Sequence, residues 1–72
     1  MNTKMTKIYD ELVLPFMAEN GIEDTTQNRL WALEGVYAAW NEDGDNSIEK
    51  TIWKVALIGE MNVLRIKLMF NQ

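Results

Sequence analysis

The stretch "TIWKVALIGEMNVLRIKLMF", residues 51–70, fills more than a quarter of the chain and admits two interpretations. Apolar side chains at every second position from Leu64 to Phe70 would suit a strand, and the whole stretch could form a hairpin around Gly59. A helical period explains more residues, because at about 100° per residue one sector of about 100° holds no polar side chain. That sector contains Ile52, Val55, Ala56, Gly59, Val63, Ile66 and Phe70. The pattern predicts one helix over about 48–70, with this sector as its core face.

The start of this helix also carries a signal. Asn46 or Ser47 can act as the N-cap, and Glu49 stands three residues after Asn46, as in a capping box. Within the helix, Gly59 costs about 1 kcal/mol relative to alanine. We therefore expect Gly59 to mark a close crossing with another helix.

The N-terminal part of the chain predicts a helix over about 3–20 that is kinked or broken at Pro15. Proline cannot donate a hydrogen bond to the carbonyl of Glu11, so the distortion should fall near Leu14. Gly21 suits the left-handed end of this helix, with Ile22 folding back on the last turn. Its predicted core side chains are Met5, Ile8, Leu12 and Phe16.

A second helix is predicted over about 25–42. Asp24 is the expected N-cap, with Gln27 three residues later. Its apolar face contains Leu30, Leu33, Val36, Tyr37 and Trp40. Trp31 does not share that face and lies about 100° from Leu30.

The expected fold is therefore all-α: a small three-helix domain that takes in the whole chain, 1–72, and ends in a long helix. A chain this short buries only about 60% of its unfolded surface, so it would be marginal as a lone monomer. Disulfides cannot support it, because the chain has no cysteine. Oligomerisation is a common alternative support.

Composition argues against catalysis. The chain has no histidine and no cysteine, and Ser47 is its only serine, so the usual triads and imidazole or thiolate metal sites are excluded. We expect no catalytic residues, no enzyme activity and no cofactor. The absence of cysteine fits a reducing compartment, and the expected location is cytoplasmic.

The charge of −4 is unevenly distributed. Residues 8–47 carry nine acidic side chains against Arg29 alone, whereas the segments on either side are each net basic. No dominant basic face is available for phosphates, so direct binding to nucleic acid is not expected. The longest apolar run, "LVLPFMA" at 12–18, is too short to cross a membrane.

The segment 41–52, "NEDGDNSIEKTI", resembles a calcium loop of the EF-hand type. Oxygen-bearing side chains occupy alternate positions and Ile48 takes the apolar position. The segment departs from the motif at Asn41, which lacks the charge of the first ligand position, and above all at Ile52, which replaces the bidentate carboxylate. Asn46 stands at the glycine position and can accept the left-handed turn, less easily than glycine. We predict a linker and no metal, with a weak cation-responsive regulator as an alternative function. The residues of that alternative are Asn41, Asp43, Asp45, Ser47 and Glu49.

Three basic residues, Lys50, Lys54 and Arg65, lie on one side of the last predicted helix. They are expected to be solvated or paired with acidic residues of the first two helices. An alternative is an anion contact, which would make the protein a small-ligand or nucleotide binder at a dimer seam. No glycine-rich phosphate loop accompanies them.

A second apolar stripe runs along the last helix beside the predicted core face. A three-helix domain needs one buried face per helix, so the stripe and Trp31 predict a protein–protein surface. The alternative is a last helix that is buried on two sides within one chain. The predicted interaction surface contains Trp31, Trp53, Leu57, Met61, Leu64 and Leu68.

The favoured function is a non-catalytic interaction module that acts by occupying a partner's surface. An adaptor, a subunit of a complex or a phage-type inhibitor of a host factor would fit this size and composition. The expected partners are a protein of unknown identity and a second copy of the chain, giving a homodimer.

Overall fold

A computed structural model describes residues 2–71, and every regular element within that range is helical. The elements are α1 (Thr3–Ile8), a π-helical segment (Tyr9–Val13), α2 (Leu14–Glu19), α3 (Thr26–Asp43) and α4 (Ile48–Phe70). The all-α prediction is confirmed, and Gly59 lies inside a continuous helix rather than in a hairpin. None of the helices within 2–71 combines the length and apolar character that a membrane crossing requires.

Three of these elements, α1, the π-helical segment and α2, follow one another without a gap and form one bent N-terminal helix, as predicted. The N–H of Leu14 donates to the carbonyl of Tyr9, five residues back. Pro15 has no N–H and its ring would clash with a normally placed carbonyl four residues earlier. The wider π-helical turn accommodates the proline, and π-bulges and prolines are the usual causes of helix bends.

The π-helical segment also changes which side of the N-terminal helix is buried. One extra residue in a turn rotates everything after it by about 100° relative to a straight α-helix. Val13 and Met17 are therefore buried, whereas Leu12 and Phe16 are more than two-fifths exposed. The prediction that Leu12 and Phe16 face the core is wrong for this reason. The helix ends at Gly21 (φ 64°), and the N–H of Ile22 reaches back to the carbonyl of Met17 at 2.9 Å.

The N-cap of helix α3 lies one residue later in the chain than predicted. Thr25, not Asp24, is the N-cap, and its hydroxyl accepts the N–H of Asn28 at 3.1 Å. Asp24 instead forms an ion pair with Arg29. The helix ends at Gly44, whose φ of 74° is a left-handed value that glycine adopts without strain.

Helix α4 has the predicted bounds, and Ser47 is its N-cap, accepting the N–H of Lys50 at 3.1 Å. Its two apolar faces, however, are reversed relative to the prediction. Leu57 is fully buried, and Met61 and Leu64 are almost so. The structure thus places the stripe that was expected to face a partner inside the core. The core of the chain contains Met5, Ile8, Tyr9, Val13, Met17, Ala32, Leu33, Leu57, Met61 and Leu64.

Most of the sector that was expected to be the core face of α4 points outward, and of its members only Ala56 is partly buried against the core. Together with Ile48, the exposed members form what we call the outer face of α4: Ile48, Ile52, Val55, Gly59, Val63, Ile66 and Phe70. All seven are exposed, and a Cβ at Gly59 would meet nothing within 4 Å. Gly59 therefore marks no helix crossing within this chain.

The reversal has a physical cause in the polar residues beside the buried stripe. The polar-free sector lies on the other side of the helix, because Glu60 and Lys50 lie beside the buried stripe. In the fold, both are only partly exposed, and both have partners. Glu60 accepts the hydroxyl of Tyr9 at 2.7 Å, and the ammonium of Lys50 lies 4.6 Å from the ring centroid of Trp40.

Truncation on each face should reveal which one is the core. We expect Leu57→Ala to lower the free energy of unfolding by about 2–5 kcal/mol, because it opens a cavity. Val55→Ala, at a side chain that is 63% exposed, should cost less than about 1 kcal/mol. Urea unfolding at low protein concentration measures both. A larger loss for Val55→Ala than for Leu57→Ala would contradict the orientation of α4.

Candidate functional site

The calcium-loop resemblance does not extend to the structure of the segment. Asn41 and Asp43 lie within α3, Glu49 lies within α4, and only 44–47 connect the helices. Asp45 accepts the N–H of Ser47 at 3.0 Å, and this hydrogen bond lowers the pKa of its carboxyl. Within residues 2–71, no three acidic side chains are grouped so that they could hold a metal ion. The geometry is that of a short connection between two helices.

The basic residues of α4 do not converge on one site. Lys50 and Arg65 are separated by about 22 Å along the helix. Lys50 stacks on Trp40 and lines a cavity of about 340 Å³, whereas Arg65 lines a different cavity of about 320 Å³. Arg65 also donates to the Asn62 side chain at 3.1 Å. Lys54, which lies between them in the sequence, is partly buried. A single small anion could not contact all three.

The predicted interaction surface divides between core and solvent. Leu57, Met61 and Leu64 are buried in the chain, and Trp53 and Leu68 are partly buried beside them. Leu57, Met61 and Leu64 therefore belong to the core of the same chain and Trp53 packs against it, contrary to the prediction that they face a partner. Trp31 alone stays at the surface, with 56% of its area exposed.

A polar cluster that sequence reasoning missed joins the three helices. The buried hydroxyl of Tyr9 donates to Glu60 at 2.7 Å, and the guanidinium of Arg29 lies 4.9 Å from the Tyr9 ring centroid. Arg29 also donates from Nη2 to Asp24 at 2.7 Å. Burial, followed by the bond to Glu60, raises the pKa of Tyr9. A phenol that stays neutral in this way serves as a structural donor rather than a proton-transfer group.

The outer face of α4 is the first candidate surface for a partner. It runs for about 33 Å along the helix. Val55 is 63% exposed and Ile66 is 52% exposed, and the flanking positions Glu49 and Lys67 are charged and exposed. An apolar face of this length with a polar rim is typical of an interaction site.

A second candidate surface lies between the N-terminal helix and α3. The rings of Phe16 and Trp31 are 6.0 Å apart with an interplanar angle of 38°. They border a cavity of about 620 Å³, which we call the Phe16–Trp31 groove. Its lining is Phe16, Trp31, Ala32, Glu34, Gly35, Val36 and Ala39. Sequence reasoning identified Trp31 as off the core face but assigned Phe16 to the core.

The Tyr9 cluster predicts how stability depends on pH. Because the folded-state pKa of Tyr9 is raised, its contribution is complete below the unfolded value of about 10 and is lost as pH rises through the folded value. Tyr9→Phe should cost about 1–2 kcal/mol at neutral pH and make unfolding less sensitive to pH above about 10. Denaturant titrations between neutral and alkaline pH measure this.

The matched control is Tyr37→Phe, since Tyr37 is only partly buried. This variant should keep the alkaline loss of stability of the original chain. If Tyr9→Phe lost as much stability between neutral and alkaline pH as the original chain does, the hydroxyl of Tyr9 would not be coupled to folding.

Comparisons with known proteins add no functional assignment. No protein-family model, curated protein or solved structure matches this chain. Function must therefore be inferred from the two exposed surfaces themselves.

Proposed function

We propose that the protein is a non-catalytic interaction module and that it forms a homodimer through the outer face of α4. The observation that carries this proposal is the exposure of that face. Six apolar side chains and one glycine follow one side of the helix from end to end, opposite the side that forms the core. Exposed apolar faces with a polar rim mark surfaces through which adaptors, complex subunits and inhibitors can bind a partner.

The energetics favour covering this face. Burying the exposed part of each apolar side chain contributes about 1–2 kcal/mol. Association costs about 4–15 kcal/mol in lost freedom. A small domain has only about 5–15 kcal/mol of stability. Pairing of α4 helices could therefore add appreciably to the stability of the fold.

The spacing of the outer face suits an antiparallel pair. Val55 and Val63 stand four residues before and after Gly59, and Ile52 and Ile66 stand seven residues before and after it. A twofold axis at Gly59 would set valine against valine and isoleucine against isoleucine. A glycine at the crossing point would let the two backbones approach closely. This close approach would offset the unfavourable helix propensity of glycine.

The charged residues beside the outer face also favour antiparallel pairing of the two α4 helices. Glu49 and Lys67 are 18 residues apart, which is five full turns, so they lie on the same side of α4. In an antiparallel pair, Glu49 would lie opposite position 69, about 3 Å along the axis from Lys67 of the second copy. The twofold axis would generate a second, equivalent pair between Lys67 of the first copy and Glu49 of the second. Each exposed ion pair contributes about 0.2–1 kcal/mol, so the rim sets direction more than affinity.

Light scattering at micromolar concentration should report a dimer. Ile66→Glu, which places a carboxylate on the outer face, should shift the protein to monomer while circular dichroism remains helical. Ala38→Glu introduces the same group at an exposed position of α3 and should leave the dimer intact. A helical, monomeric original chain at high concentration would refute the homodimer.

Crosslinking should determine the direction of pairing, and the chain has no native cysteine to interfere. We expect a mixture of Val55→Cys and Val63→Cys chains to give mainly the mixed product with a short thiol crosslinker. Positions 55 of two antiparallel copies would be about 12 Å apart along the axis, so homogeneous products should be minor. Predominance of homogeneous products would indicate parallel pairing.

A further inference from the structure

We propose that the Phe16–Trp31 groove binds a basic amphipathic helix of a different protein. This inference rests on the proposed function, because it names the chemistry of the partner that the module would engage. The groove shares no lining residue with α4, so its occupation and the pairing of α4 helices involve separate surfaces.

The shape of the groove fits a helix that inserts apolar side chains. Gly35 and Ala39 are four residues apart on α3 and provide a floor without large side chains. Phe16 stands at one border, and Trp31 remains exposed even though it contacts Phe16. The volume of about 620 Å³ exceeds what one side chain needs. Small floor residues with aromatic walls favour the insertion of a helix's apolar face.

The charge around the groove favours a cationic partner. Glu34 is the charged residue among those lining it. A neighbouring cavity of about 590 Å³ shares Trp31 and is lined by Glu23. Neither cavity is lined by lysine or arginine, and Arg29 is held by Asp24. Across residues 8–47 the acidic side chains outnumber the basic ones by nine to one. Lysine or arginine beside an apolar stripe would be complementary in charge and would speed association.

The Phe16–Trp31 groove depends on the π-helical segment. In a straight α-helix Phe16 would lie with Met5 and Ile8 on the core side. The rotation introduced before Pro15 moves Phe16 to the surface beside Trp31 and buries Met17 instead. A binding role for the exposed aromatic pair explains what this arrangement provides.

The test uses the full chain and a synthetic 18-residue peptide of leucine and lysine with helical spacing. The chain contains three tryptophans, so its indole N–H groups give three separate nuclear magnetic resonance signals. We expect the peptide to shift the Trp31 signal in a saturable way and to leave those of Trp40 and Trp53 nearly unchanged. A peptide with glutamate in place of lysine should not bind.

Variants separate the groove from the dimer face. Trp31→Ala should weaken binding of the leucine–lysine peptide by about tenfold or more while the chain stays helical. Glu34→Lys, which keeps every apolar wall, should weaken it and reduce its dependence on salt. Ile66→Glu should leave peptide affinity unchanged even when the dimer is lost, so the two proposals can fail separately.

Three results would overturn the proposal that the Phe16–Trp31 groove binds a basic helix. These are peptide affinity unaffected by Trp31→Ala, equal shifts of all three indole signals, and equal binding of the glutamate peptide. Assemblies larger than a dimer that Trp31→Ala abolishes would likewise overturn it, because they would identify a second copy of the chain as the occupant.

Discussion

The missing N–H of Pro15 is the constraint on which the arrangement of the N-terminal helix depends. Because the proline cannot continue the regular hydrogen-bond pattern, the preceding turn widens, and Leu14 bonds five residues back to Tyr9. That wider turn rotates the second half of the helix. Val13 and Met17 then complete the core, and Phe16 is left beside Trp31. One backbone property thus decides both what is buried and which aromatic groove is open.

Helix α4 is apolar on two opposite sides, and the chain can cover only one of them. The buried side carries Leu57, Met61 and Leu64, which share the core with residues of the N-terminal helix and α3. The outer face carries mainly β-branched residues around Gly59. A domain this small has little interior, so the second apolar side of its longest helix stays exposed. The proposed pairing of α4 helices would therefore link association to the fold through one helix.

The sequence predicted the elements of this fold better than their orientation. The bounds of α4, the bend at Pro15 and the helix end at Gly21 follow from local chemistry, namely capping, a missing donor and left-handed glycine. The orientation of α4 does not, because it depends on whether Glu60 and Lys50 find partners in other helices. The rotation at the π-helical segment is equally non-local in effect, and it exposed Phe16. Of the predicted surface, Trp31 stayed exposed because its position on α3 opposite Leu33 is fixed by helical spacing alone.

The short connection at residues 44–47 has a consequence for the order of folding. It makes α3 and α4 a helical hairpin whose contacts join segments close together in the sequence, and such local contacts form quickly. The N-terminal helix must then attach across a long span, since Tyr9 and Glu60 are 51 residues apart. We expect the hairpin to be the folding nucleus and the bent helix to dock on it last. The Phe16–Trp31 groove would then form only when folding is complete. A partner that binds there would therefore bind the folded chain and not its folding intermediates.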